Sequence, residues 1–202
     1  MINNNRCLYL LLFAMVVTTG ATTLSARCST PAAADAHSAL PKSVTVLGKK
    51  LVLKDHQGKP GQTFIAEYIP GGETFENWSL MFATRFVPDT NLDPMISAEA
   101  TAKRIQARKQ SGEDSLANAA VYKAPDGKSV VVDFLMSTKQ IVEHNIFRYY
   151  KAPNGLVSQQ IARREYMNDT SDEDIKGFIS SIKTKRAELL KECMRADLPH
   201  GD

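Results

Sequence analysis

The chain has 202 residues, with 25 Lys and Arg against 22 Asp and Glu, a formal charge of +3. That charge forms no concentrated basic patch with interleaved aromatics, which argues against nucleic-acid binding, and the length suits one domain with a proper core. Cysteine is scarce, three residues with no Cys-x-x-Cys, which excludes the usual thioredoxin-like redox site and zinc ribbon.

Residues 1–26 read as a secretory signal peptide: a short polar start ending in Arg6, the apolar run Cys7–Val17, then the small residues Thr18–Ala26. The apolar run is about half the roughly 20 residues of a membrane span, so cleavage is expected and no transmembrane span should remain. The expected location is periplasmic or secreted. Cleavage is placed at Ala21 or Ala26, with Ala36 a third small-x-small site downstream. Arg27 stands before Cys28, where a lipid-attachment site needs a small residue, so lipoprotein processing is not expected. Cys7 would leave with the signal, and two readings of the remaining pair stand open. Cys28 and Cys193 form a disulfide in an oxidising compartment, or Cys28 lies in a leader while Cys193 is a buried apolar residue on a helix.

Residues 27–42, rich in Ala, Ser and Pro, read as a flexible leader. A single domain is expected over 43–194, with a disordered tail over 195–202. Ser43–Val46 and Lys50–Leu53 flank Gly48 as a small hairpin or bulged strand, and His56–Gly61 reads as a turn. Gln62–Ile69 alternates as a strand, ended by Pro70-Gly71-Gly72. Ser79–Val87 is another, with Leu80, Phe82, Thr84 and Phe86 facing one way and Met81, Ala83, Arg85 and Val87 the other. Pro88–Pro94 reads as a loop and Ser97 as the N-cap of a helix over about 98–110, with Ala98, Thr101, Ala102 and Ile105 inward. Lys103, Arg104, Arg108 and Lys109 form a solvated face.

Four strand-like runs follow, Leu116–Lys123, Ser129–Ser137, Gln140–Tyr150 and Leu156–Tyr166. Pro125-Asp126-Gly127 and Pro153-Asn154-Gly155 are hairpin signals between the first two and the last two. Thr170 with Glu173 makes a capping box for a closing helix whose stripe is Ile175, Phe178, Ile179, Ile182, Leu189 and Cys193. These elements add up to an α+β domain, a mainly antiparallel sheet of about six to seven strands with two packed helices. The element order over about 43–192 resembles the PsbP/DcrB-like α/β sandwich superfamily. Glu67-Tyr68-Ile69-Pro70-Gly71-Gly72-Glu73 followed by Asn77-Trp78 resembles a turn with a nearby Trp in uncharacterised exported bacterial proteins of that kind. The resemblance implies a binding or assembly module and supplies no catalytic residues.

Gly71, Gly72, Glu73 and Trp78, the single tryptophan, are the candidate partner-binding feature, because interface hot spots favour Trp. The competing reading makes the glycines a turn and Trp78 a lid on the core. Glu143-His144-Asn145 interrupts an apolar strand, but Glu143 and His144 point to opposite faces, a poor acid/base pair. Arg163 and Arg164 likewise diverge, so with Arg85 and Arg148 they read as surface salt-bridge formers. No Gly-x-Ser-x-Gly, phosphate-cradling loop or zinc spacing occurs, so no catalytic residue, metal or cofactor is expected. The expected function is a non-enzymatic protein-binding or envelope-assembly module, an immunity-type or accessory protein, whose partner is another exported or envelope protein. A carrier of a small hydrophobic ligand or lipid is the alternative, and a hydrolase built around His144 the third.

Overall fold

The computed structural model describes residues 40–58, 62–167 and 172–195. The expected signal peptide, Cys28, Thr170 of the capping box, His200 and residues 196–202 of the tail lie outside them. Eight strands form one antiparallel sheet: β1 (Ser43–Val46), β2 (Lys49–Gln57), β3 (Phe64–Pro70), β4 (Leu80–Val87), β5 (Asn118–Lys123), β6 (Ser129–Ser137), β7 (Ile141–Ala152) and β8 (Gly155–Tyr166). Among the described residues two helices complete it, α1 (Pro94–Gln110) and α2 (Asp172–Cys193). The α+β class is as expected, and the strand count exceeds the six or seven read from the sequence. The first hairpin supplies two separate strands rather than one bulged one. Leu47 and Gly48 both take positive φ, 51° and 72°, the two-residue turn whose twist matches flanking strands.

Two boundaries also differ from expectation. β2 runs on through His56 and Gln57, which pair with Ala66 and Ile65 of β3, so the expected turn at His56 is strand. Cross-strand pairing here overrides the polar composition. α1 starts at Pro94, not after Ser97, because the Asp93 carboxylate accepts from the Met95 and Ile96 amides at 2.7 and 3.1 Å. Pro94 at the first helical position needs no amide donor and has its φ preset.

The strand order is β1-β2-β3-β4-β8-β7-β6-β5. α1 carries the chain from β4 to the far edge, and the meander β5 to β8 returns to lie beside β4. Each hairpin sets a local neighbour, whereas the β4–β8 pairing joins Leu80–Val87 to Leu156–Arg163 across the middle of the sheet. Alternation sorts the side chains into two faces. Phe82, Phe86, Val131, Ile146, Val157 and Ile161 share one face with Leu189 and Cys193 of α2, and Val44 and Val46 of β1 join the same cluster. α2 packs on β7 and β8 over this face. The other face carries Met81, Arg85, Glu143, Asn145, Phe147, Tyr149 and Gln160. There α1 packs on β5, β6 and β7, and its buried Thr101 hydroxyl meets the Tyr149 hydroxyl at 2.9 Å.

Cys193 is fully buried in this core, where burial pushes its thiol up to about 12. Leu40 also packs on the cluster, and the Lys42 carbonyl accepts from Leu53 at 3.0 Å. Among the described residues no helix is long and apolar enough to cross a membrane.

Candidate functional site

The loop between β3 and β4 is built from the residues that stand out in the sequence. Glu73 donates its amide to the Pro70 carbonyl at 3.2 Å, closing a turn in which Gly72 takes φ 90°, a conformation that favours glycine. Thr74 and Asn77 then form an isolated antiparallel bridge. The Glu73 carboxylate folds back and accepts from the Ser79 amide at 2.7 Å and the Ser79 hydroxyl at 2.8 Å. Trp78 is 1% exposed, and the Arg164 guanidinium lies 3.9 Å from its ring centroid. Stacking of a cation on an indole at that distance strengthens as both groups leave water. Of the candidate residues, Trp78 therefore serves the core and Glu73 ties the loop, while Gly71 and Gly72 remain on the surface.

Arg164 is the hub beneath this loop. Its Nε and Nη2 donate to Glu143 Oε1 at 2.9 and 2.6 Å, and its Nη1 donates to the Tyr166 hydroxyl at 3.1 Å. That hydroxyl accepts from the Trp78 amide and donates to the Glu76 carbonyl, both at 2.9 Å. A polar strip continues across the same face, with Gln160 Nε2 donating to Asn145 Oδ1 at 2.9 Å and Arg85 Nη1 to Gln160 Oε1 at 3.0 Å. Glu67 stands 3.9 Å from Arg85. The expectation that Arg85 and Arg164 form surface salt bridges is corrected: they are 7% and 6% exposed. Flanking polarity marked them as exterior, but the strip satisfies them inside, where an unpaired charge would be costly.

On the opposite face His144 is 1% exposed, and its Nε2 lies 2.8 Å from Asp133 Oδ1. Arg186 of α2 pairs with the other Asp133 oxygen and lies over the Tyr122 ring. The arrangement clamps α2 to β6 through groups on four elements. Burial alone would raise the Asp133 carboxyl, but the hydrogen bond and charge of His144 and the Arg186 guanidinium outweigh it and hold the carboxyl below its usual value. A depressed folded pKa stabilises the fold above the unfolded value, a share lost as pH falls through the folded value. Urea midpoints measured from about pH 7 down to about pH 3 should therefore fall less steeply in Asp133→Asn than in the parent chain. An unchanged slope would remove Asp133 as the source.

The loop, the end of β8 and the first turns of α2 enclose a cleft of about 940 Å³. Asn77, Glu165, Glu173 and Asp174 line it with exposed polar groups, and buried Phe178 forms part of its wall. The Arg163 guanidinium lies 5.4 Å from the Phe178 ring centroid. Burial draws its pKa down against the raising charges of Glu165 and Glu188. Arg163 and Arg164 diverge as the alternation requires, one toward the cleft and one under Trp78. The expected solvated face of α1 holds for Lys103, Arg104 and Lys109. Arg108 turns to Glu113 at 2.6 Å and to the Ser137 carbonyl at 3.2 Å. Among the described residues no group of three His, Cys, Asp or Glu could hold a metal ion.

The Glu143–Arg164 pair escaped the sequence reading, although a signal for it existed. Ala152 pairs with Gly155 across a two-residue turn, and counting back along both strands sets Glu143 opposite Arg164. The cleft had no such signal, because α2 meets the 71–79 loop only through the tertiary fold. A protein-family model matches residues 38–198, which takes in all ten described strands and helices, and the chain belongs to that family. No curated protein matches the chain.

Proposed function

We propose that this is an exported, non-enzymatic module that binds another exported or envelope protein, and that it does so through the cleft between the 71–79 loop and α2. The observation that carries the reading is the pairing of an open, polar-lined cleft with a rim fixed from beneath. The loop is tied by Glu73 to Ser79, by Tyr166 to Trp78 and Glu76, and by Arg164 under Trp78. A rim held this firmly loses little conformational freedom when a partner docks, which favours binding. Glu165, Glu173 and Asp174 give it an acidic lining, suited to a segment bearing Lys or Arg.

The carrier alternative would need a cavity between sheet and helix. That region is filled by Tyr68, Phe82, Ile146, Ile161, Leu189 and Cys193, each at most 1% exposed. The hydrolase alternative would need His144 at a water-accessible site, whereas its ring is covered and held by Asp133. The PsbP/DcrB-like sandwich belongs to this proposal as well, supported by the element order and the two helices on opposite faces.

A photo-crosslinking residue at exposed Asn77, introduced into the full chain in living cells, should capture a discrete protein partner. Glu165→Lys combined with Glu173→Lys should abolish that capture while leaving the fold intact. Absence of any crosslinked partner, or capture that survives both charge reversals, would sink the proposal.

A further inference from the structure

We infer that the open edge of the sheet, β5, is a self-association surface on which a second copy of this chain docks by antiparallel strand pairing. The two edges of the sheet are treated differently. β1 has only four residues, and its Thr45 carbonyl accepts from the Arg195 guanidinium at 2.9 Å. The register of β1 with β2 and the Lys42–Leu53 bond make Thr45 a residue whose backbone points outward, so Arg195 blocks the strand where a neighbour would pair. β5 has six residues and, among the described residues, no such guard.

The direction of every β5 backbone group follows from its register. Ala124 donates to the Ser129 carbonyl at 2.9 Å, and the unbroken pairing from Lys123–Val130 to Asn118–Leu135 continues the same alternation. Asn118, Ala120 and Tyr122 therefore turn their N–H and C=O groups toward β6. At Ser137, where β5 has not yet begun, the Asp114 carboxylate takes the amide that β5 would otherwise meet. Ala119, Val121 and Lys123 are left with N–H and C=O groups pointing away from the sheet. Among the described residues no backbone or side-chain group bonds to them.

Natural sheets protect an edge with proline, a bulge or a charged side chain, lysine above all. β5 carries one such charge, Lys123 at its end, and the run Ala119-Ala120-Val121-Tyr122 before it has no proline, bulge or charge. A second copy fits the strand through its own sequence. A two-fold axis through Val121 sets Val121 against Val121 of the second copy and Ala119 against Lys123 of the second copy. These are all outward-pointing residues, so each pair exchanges both N–H···O bonds. On the other face Ala120 meets Tyr122 of the second copy. No like charges are opposed, and the axis closes the pairing as a symmetric dimer. This inference stands apart from the cleft, which lies at the end of β8.

The test compares the full chain with Val121→Pro and Val121→Lys by sedimentation equilibrium and by amide exchange across a concentration series. The Val121 amide serves no bond within one chain, so proline there suits an edge strand and spares the fold, checked by far-UV circular dichroism. The parent chain should dimerise, with the Ala119, Val121 and Lys123 amides gaining protection as concentration rises. The Ala120 and Tyr122 amides should be protected throughout. Each substitution should weaken dimerisation by about tenfold or more, since the second sets two lysines directly opposite each other. A parent chain that stays monomeric at every concentration overturns the inference, as does a dimer that persists in both variants. If the parent is monomeric and both variants lose a partner captured in cells, the edge belongs to an extended segment of another protein and self-pairing is wrong.

Discussion

Replacing Glu143 with leucine should destabilise the domain by about 3–5 kcal/mol, the usual cost of removing one partner from a buried ion pair. Glu143 is fully buried and takes two bonds from Arg164, which is itself 6% exposed. Leucine would take from the guanidinium under Trp78 the carboxylate that accepts two of its bonds in a region of low dielectric. Arg164→Met should cost a similar amount, because it takes two bonds from the buried Glu143 carboxylate and removes the stack on the indole. The double substitution should recover a large part of both losses, since packed apolar groups can replace a buried pair at little cost. Trp78 is the single tryptophan of the chain, so its fluorescence in urea titrations reports unfolding and the local change together. If Glu143→Leu shifts stability by less than about 1 kcal/mol, the range of an exposed pair, the buried pair is not what holds the strip.

Gly155→Ala should be nearly as damaging, at about 3 kcal/mol, the upper end of overpacking. The reason is not the turn. Gly155 does not have the positive φ that a turn glycine usually supplies. A Cβ placed there would stand 2.1 Å from the Val87 carbonyl oxygen and 2.9 Å from a ring carbon of Phe86. The obstacle is the backbone of β4, which pairs with β8 through Val87–Leu156, so relief requires the two strands to part. Gly71→Ala is the matched control. Nothing lies within 4 Å of its added Cβ, and its urea midpoint should stay close to that of the parent. Equal midpoints for the two variants would refute the close-approach argument.

Gly155 also marks where reading the sequence stops. Pro153-Asn154-Gly155 announces a hairpin, and the hairpin is there, but the glycine answers to a strand some seventy residues away. Asp93-Pro94 carried a helix-start signal that Ser97 displaced in the reading, although an Asp cap followed by proline satisfies more of the first turn. Arg85 and Arg164 looked external because charge predicts exposure. Only the β3-β4-β8-β7 order brings Glu67, Arg85, Gln160, Asn145, Glu143 and Arg164 into one strip where each polar group meets another.

The sequence by itself determined the α+β class, the hairpin neighbours, the face assignments of β4 and β7, and the inward stripes of both helices. These follow from spacings of two and of three to four residues and from turn chemistry, all local in the chain. The tertiary structure alone decided the β4–β8 pairing, which strands form the edges of the sheet, the burial of the Glu143–Arg164 pair, and the cleft where α2 meets the 71–79 loop. Each of these joins groups far apart in sequence, and such contacts are selected by how the whole core closes rather than by any pattern along the chain.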